Sequence, residues 1–257
     1  MPAFEAVPGM PYWQDLVTSE PQKSAYFYTK VLGWDVSGGD YRVARMHGLP
    51  VAGIVSTGAK EALNEWVPYF LSVDVAADAK RVEKLGGRVL ATAEVDLGTL
   101  TVCADPFDGY FGLIQPAGED RFVAAGEPGV PVWYNYGGPE VAAVDFYAEL
   151  FDWEVQKVGN EYIALQDGAP FLSMEIGPAH THAAWQIYFG VENMSAAVRA
   201  AEMFGAKYLT EPELTPFGLV SLQEDATGAG VFFCEVEVPV FEEASESDSI
   251  LHLDPEA

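Results

Sequence analysis

The sequence predicts an α+β protein of two tandem domains, each built from a pair of strand–helix–strand–strand–strand modules. Three observations predict it. The 257-residue chain repeats itself at an offset of 120 residues, Trp13-Gln14-Asp15-Leu16 returning as Trp133-Tyr134-Asn135-Tyr136. Within each half an alternating run leads into a segment of helical periodicity and then into three short strand-like runs separated by glycine turns. The length suits about two domains of modest size, and the repeat is too long for a solenoid unit of roughly 20–50 residues.

In module one, residues 12–18 alternate so that Trp13, Asp15 and Val17 share one strand face. Thr18 or Ser19 stands where a helix is capped. The helix carries Ala25, Phe27, Val31 and Leu32 at three- and four-residue spacing, and Gly33 is placed to end it. Strands follow near 34–36, 41–46 and 51–55, with Gly38-Gly39 and His47-Gly48 as turns. Module two repeats the order: strand 69–73, helix 76–85 closed by Gly86-Gly87, and strands 88–91, 99–104 and 110–114. Its last turn is Asp105-Pro106-Phe107-Asp108-Gly109. Modules three (132–176) and four (186–235) match, with Asp225-Ala226-Thr227-Gly228 as the corresponding turn; Leu97-Gly98-Thr99-Leu100 is echoed by Phe217-Gly218-Leu219-Val220. The expected domains are 1–117 (modules 11–57 and 66–116) and 131–238 (modules 131–176 and 185–236). A linker spans 118–130, and an acidic, mobile tail spans 239–257.

Composition narrows the function. A net charge of -26, from 39 acidic against 13 basic residues, opposes phosphate backbones and anionic lipid, so neither nucleic acid nor membrane is expected as a partner. No run approaches the roughly 18 apolar residues of a spanning helix, and no secretory pattern opens the sequence, so a cytoplasmic location is expected. Cys103 and Cys234 are far apart and form no Cys-x-x-Cys; buried free thiols are expected. There is no Gly-x-Ser-x-Gly elbow, and Gly228-Ala229-Gly230 lies between strands without the helix a phosphate loop needs.

These modules resemble the vicinal oxygen chelate superfamily, which includes glyoxalases, bleomycin-resistance proteins and extradiol dioxygenases. The resemblance rests on Phe27-Tyr28 followed by Leu32-Gly33-Trp34, on Val73-Asp74, on Gly86-Gly87 and on the Asp105–Gly109 turn, and spans about residues 11–235. It implies that paired modules form a curved, partly open barrel, into which the first and last strand of each module point metal ligands of His, Glu or Gln type. The matching positions here fall on Trp13, near Gly53, on Pro68 and near Gly112 in the first half. In the second they fall on Trp133, near Glu175, on Gln186 and near Phe232. A divalent ion needs converging oxygen or imidazole donors. At most Gln186 and Glu175 qualify, so no cofactor is expected.

An aromatic and polar lining is expected instead: Trp13, Asp15 and Phe70 in the first cup, and Trp133, Asn135, Gln186 and Tyr188 in the second. Such a lining suits a flat, partly apolar molecule. The same tryptophans read alternatively as plugs. Asp15, if buried without a partner, acquires a raised pKa and becomes a ligand-binding acid or general base; paired with Arg42 or Arg45 it is structural. The leading expectation is metal-free binding of a small, partly aromatic molecule, as in the bleomycin-resistance branch. One alternative is a glyoxalase-type lyase or isomerase holding a metal through Glu175, His180, His182 and Gln186. Another is an interaction protein with filled cavities. Four modules already make complete cups, so a monomer suffices and a dimer is possible.

Overall fold

The computed structural model describes residues 3–56, 64–118, 122–215 and 218–238; the acidic tail, with His252, and Phe217 of the second echo lie outside them. The first half contains β1 (Ala3–Glu5), β2 (Pro11–Thr18), α1 (Pro21–Val31), β3 (Asp35–Gly38), β4 (Tyr41–Met46) and β5 (Leu49–Ser56). It continues with β6 (Glu65–Leu71), α2 (Val75–Lys84), β7 (Arg88–Val95), β8 (Gly98–Ala104) and β9 (Tyr110–Pro116). After β10 (Phe122–Ala124) come β11 (Pro131–Gly138), α3 (Ala142–Phe151), β12 (Glu154–Val158), β13 (Glu161–Gln166) and β14 (Ala169–Ile176). Module four supplies β15 (Ala184–Val191), α4 (Met194–Met203), β16 (Lys207–Tyr208), β17 (Glu213–Thr215), β18 (Gly218–Glu224) and β19 (Gly230–Glu235).

Modules one and two share one sheet, ordered β3-β4-β5-β2-β6-β9-β8-β7. Modules three and four share the other, ordered β12-β13-β14-β11-β15-β19-β18-β16, with β17 on β18. At the centre of each, two first strands pair antiparallel, β2 with β6 and β11 with β15. Each also pairs in parallel with its own module's last strand. Each sheet is a curled, partly open barrel, the architecture expected.

One face of each sheet is given to a core shared by the two halves. Leu16, Trp66, Phe70 and Phe111 from the first sheet lie in the same buried cluster as Trp185, Ile187, Phe189 and Phe233 from the second. Trp66 meets Phe189 at 5.0 Å between ring centroids, and Phe70 meets Trp185 at 5.1 Å. Edge-to-face and tilted rings of this kind add about 0.5–1.5 kcal/mol per pair beyond the area they bury.

The sequence motifs are halves of one contact made across the domain boundary. Tyr28, from the Phe-Tyr of α1, donates its hydroxyl to Asp225 Oδ2 at 3.0 Å and receives the Trp66 indole N–H at 3.0 Å. The mirror contact runs from Tyr147 of α3 to Asp105 Oδ2 at 3.0 Å, with the Trp185 indole donating to Tyr147 at 3.0 Å. Each aspartate also holds its own turn: Asp105 Oδ1 accepts from the Phe107 and Gly109 N–H groups, and Asp225 Oδ1 from those of Thr227 and Ala229. Neither carboxylate is left short of donors, which is what burial demands.

Helix ends depart from expectation in one place. Glu20, not Thr18 or Ser19, is the N-cap of α1 and offers no side-chain cap; Pro21 opens the helix, and the Thr18 hydroxyl accepts from the Glu20 N–H at 3.1 Å. Pro fits there because the first helical N–H has no partner in any case. In α2 and α4, Asp74 and Asn193 cap in the usual way. Strand β7 runs four residues beyond the expected 91, to Val95. It is an edge strand with a bulge between Val89 and Ala91 and mostly exposed side chains, so its apolar alternation is faint. The β1–β10 pair, joining the start of the chain to the linker, had no sequence signal. Cys103 and Cys234 are free and buried, and burial pushes the Cys103 thiol up to about 12, which keeps it protonated.

Candidate functional site

The faces turned away from the shared core form two cups. In the first, Trp13 and Asp15 project from β2, Tyr41 and Val43 from β4, Val67 and Tyr69 from β6, and Leu100 and Val102 from β8. Register fixes the neighbours: Trp13 pairs with Tyr69, Asp15 with Val67 and Gly53, and Tyr69 with Gly112. Asp15 Oδ1 accepts from the Trp13 indole at 2.8 Å and from the Tyr41 hydroxyl at 2.7 Å, and the Tyr69 phenol stands beside the same carboxylate.

Two glycines make this arrangement possible. A side chain on Gly53 would collide with Asp15 and the Tyr41 hydroxyl, and one on Gly112 would collide with the Tyr69 ring. The first cup is therefore filled from within: Trp13, Asp15 and Tyr69 are 4%, 2% and 2% exposed. Burial pushes the Asp15 carboxyl up, and the donors from Tyr41, Trp13 and Tyr69 hold it back. The phenols of Tyr41 and Tyr69 are pushed up by burial and by the Asp15 charge, so they remain donors.

The second cup has the same backbone and a different lining. Trp133 donates its indole N–H to the Ser173 hydroxyl at 2.9 Å, Ser173 donates to Asn135 Oδ1 at 2.8 Å, and the Asn135 amide donates to Gln186 Oε1 at 3.2 Å. Tyr188 lies flat on Phe232, with centroids 4.6 Å apart and planes 26° apart. Asn135 and Ser173 are buried, while Trp133, Gln186, Tyr188 and Phe232 stay half-exposed. At the rim, His180 Nε2 lies 3.6 Å from Glu175 Oε2. A side chain on Gly137 would stand 2.7 Å from His180 Nδ1 and 3.2 Å from Gln186 Nε2, so these groups gather over that glycine.

Residues 14–114 match the glyoxalase-like domain family. That stretch, the first of the two similar halves, carries a glyoxalase-like domain. The chain is 28% identical to the anthracycline biosynthesis protein DnrV of Streptomyces peucetius, over 89% of this chain and 94% of that one. It is 30% identical to the putative glyoxylase CFP32 of Mycobacterium bovis, over 41% of this chain and 43% of that one. Among solved structures it is similar to the Mn(II)-bound glyoxalase of Novosphingobium aromaticivorans. The TM-score there is 0.62 at 16% identity, covering 91% of this chain and 88% of that one.

The residues at the metal positions that the resemblance implies do not make a cation site in the first cup. Trp13, Gly53, Val67 and Gly112 offer no carboxylate or imidazole, and Asp15 is already held by the Trp13 and Tyr41 donors. In the second cup Asn135 and Gln186 spend their amide oxygens on neighbours. The expected alternative set comes together in part: Glu175, His180 and Gln186 meet over Gly137. His182 stands apart, exposed, on a groove between the two domains. No group of three His, Cys, Asp or Glu able to hold a metal occurs among the described residues.

Three expectations for the glyoxalase-like fold are corrected. Phe70 does not face the first cup; it is fully buried on the opposite face, against Phe111, Tyr147, Phe151, Trp153 and Trp185. Tyr69 holds the cup position, equivalent to Tyr188, because a strand turns successive side chains to opposite faces. For the same reason Pro68 pairs with Gln14 on the core side, and the counterpart of Gln186 is Val67. Asp15 is partnered by aromatic donors, not by Arg42 or Arg45; Arg45 bonds Ser37 on the surface.

Tyr41, Tyr69 and Ser173 were not singled out from sequence. Tyr69 was legible: Trp66-Val67-Pro68-Tyr69-Phe70 aligns without gaps on Trp185-Gln186-Ile187-Tyr188-Phe189. Tyr41 and Ser173 come from middle strands whose facing depends on bulges, between Ala44 and Arg45 in β4 and between Ala164 and Leu165 in β13. Among the described residues no helix is long and apolar enough to cross a membrane.

Proposed function

We propose that this glyoxalase-like protein binds a flat, partly aromatic small molecule in the second cup without a metal ion, the first cup having become a structural core. The observation that carries the proposal is the second lining: Trp133, Tyr188 and Phe232 offer ring faces to a stacked ligand, and Asn135, Ser173 and Gln186 form one polar chain beside them. Ring faces supply area, and a few fixed donors and acceptors orient the guest. The 28% identity with a protein of anthracycline biosynthesis supports a polycyclic aromatic compound as the ligand class.

The test is titration of the purified protein with planar polycyclic ketones, with and without a chelator. Expected are saturable binding that the chelator leaves unchanged and its loss in Tyr188→Ala. Binding that disappears with the chelator overturns the reading.

One observation favours a second reading, a metal-dependent lyase or isomerase: Glu175, His180 and Gln186 gather over Gly137. A stoichiometric divalent ion that is lost in His180→Ala would establish it.

A further inference from the structure

Between the two domains, where β6 and β15 begin side by side, lies a groove of about 680 Å³. Its walls are aromatic, with Trp66, Phe107 and Tyr110 from the first domain and Phe232 from the second, and Gln186 places it at the mouth of the second cup. One acid sits in it in an unusual state. Glu65, the first residue of β6, is half-buried and makes no hydrogen bond or ion pair among the described residues. Burial pushes its carboxyl up to about 7. Asp108, also on the groove, is neutralised by Arg88 at 2.6 Å, and among the described residues no lysine or arginine lines the walls.

A carboxylate taken from water without a partner costs free energy that a bound cation returns, and the described residues supply no such cation at this place. We propose that this groove selects ligands carrying a positively charged amine beside a planar aromatic body, Glu65 receiving the ammonium while the rings lie against Phe107, Tyr110 and Phe232. Ring faces themselves favour a cation, so both features of the groove ask for the same charge. The inference rests on the proposed aromatic-ligand reading and adds to it a charge requirement in the groove at the mouth of the second cup.

Three probes sharing one ring system test it: 2-(aminomethyl)anthraquinone, the neutral 2-(hydroxymethyl) analogue and anthraquinone-2-carboxylate. Each is titrated calorimetrically against the full chain at physiological salt, which damps the general attraction of a negative protein. The amine is expected to bind at least tenfold more tightly than the neutral analogue. Glu65→Gln removes that preference, the amine falling to the affinity of the neutral analogue, whereas Glu154→Gln, which deletes an equal charge from an exposed strand, leaves the preference intact. Equal binding of amine and neutral analogue, or a preference that survives Glu65→Gln, overturns the charge requirement alone. Binding of none of the three overturns both the inference and the aromatic-ligand reading.

Discussion

The two cups share a backbone plan and are lined differently, and the difference lies in a handful of paired positions. Trp13 answers Trp133, Asp15 answers Asn135, Tyr69 answers Tyr188, Gly53 answers Ser173 and Gly112 answers Phe232. In the first cup the glycines admit the Tyr41 hydroxyl and the Tyr69 ring, the two phenols converge on one carboxylate, and Trp13 closes over them. In the second, Phe232 fills the place of Gly112, so Tyr188 stacks flat on it and the cup stays half-open. Gly53 and Gly112 are what let the first cup be a core, because a strand face without side chains leaves room that neighbouring aromatics can occupy.

The largest effect expected from this comparison is on stability. Trp13→Ala should cost about 3–5 kcal/mol by chemical denaturation, as for other fully buried large aromatics. Trp133→Ala should cost less than half as much, because its ring is only partly buried. Equal losses would show that both tryptophans are plugs. Grafting one cup's residue into the other comes next: Gly112→Phe forces the new ring against Tyr69 and is expected to destabilise by about 1–3 kcal/mol or more. The reverse change, Phe232→Gly, should mainly remove ligand binding.

A smaller effect separates the cups in function. Tyr188→Ala is expected to weaken binding of a planar aromatic by about tenfold or more, roughly 1.4 kcal/mol, while Tyr69→Phe leaves it unchanged. If Tyr69→Phe also weakens binding, the first cup takes part. The smallest effect is in pH dependence. The folded-state pKa of Asp15 is raised above its ordinary 3.8 by burial, so the proton is bound more tightly folded than unfolded. The stability it contributes is therefore present below about 3.8 and is lost as pH rises through the folded value. Asp15→Asn should flatten that decline in melting temperature, and Asn135→Asp should introduce a similar one in the second cup.

Much of the molecule could be read from the chain because the repeat carries physical reasons with it. Trp13 and Trp133 head alternating strands, Gly33 and Gly86 end helices where a positive φ is required, and the two aspartate turns recur at one offset. The error at Phe70 shows the limit. Strand periodicity is two, so a one-residue slip in aligning Trp66–Phe70 with Trp185–Phe189 moved a core ring into the cup. The partner of Asp15 was misjudged for a related reason: Arg42 and Arg45 are near in sequence, but Tyr41 and Tyr69 are the groups whose strands turn them inward.

By itself the sequence determined the duplicated module and its order of elements, since those depend on residue type and local spacing. Tertiary structure alone decided that modules one and two share a sheet, that Tyr28 and Tyr147 reach aspartates of the opposite domain, and that one cup is closed and the other half-open. Those outcomes turn on strand register and on whether space beside a glycine is taken by a neighbour, and both are fixed only when distant strands are packed together.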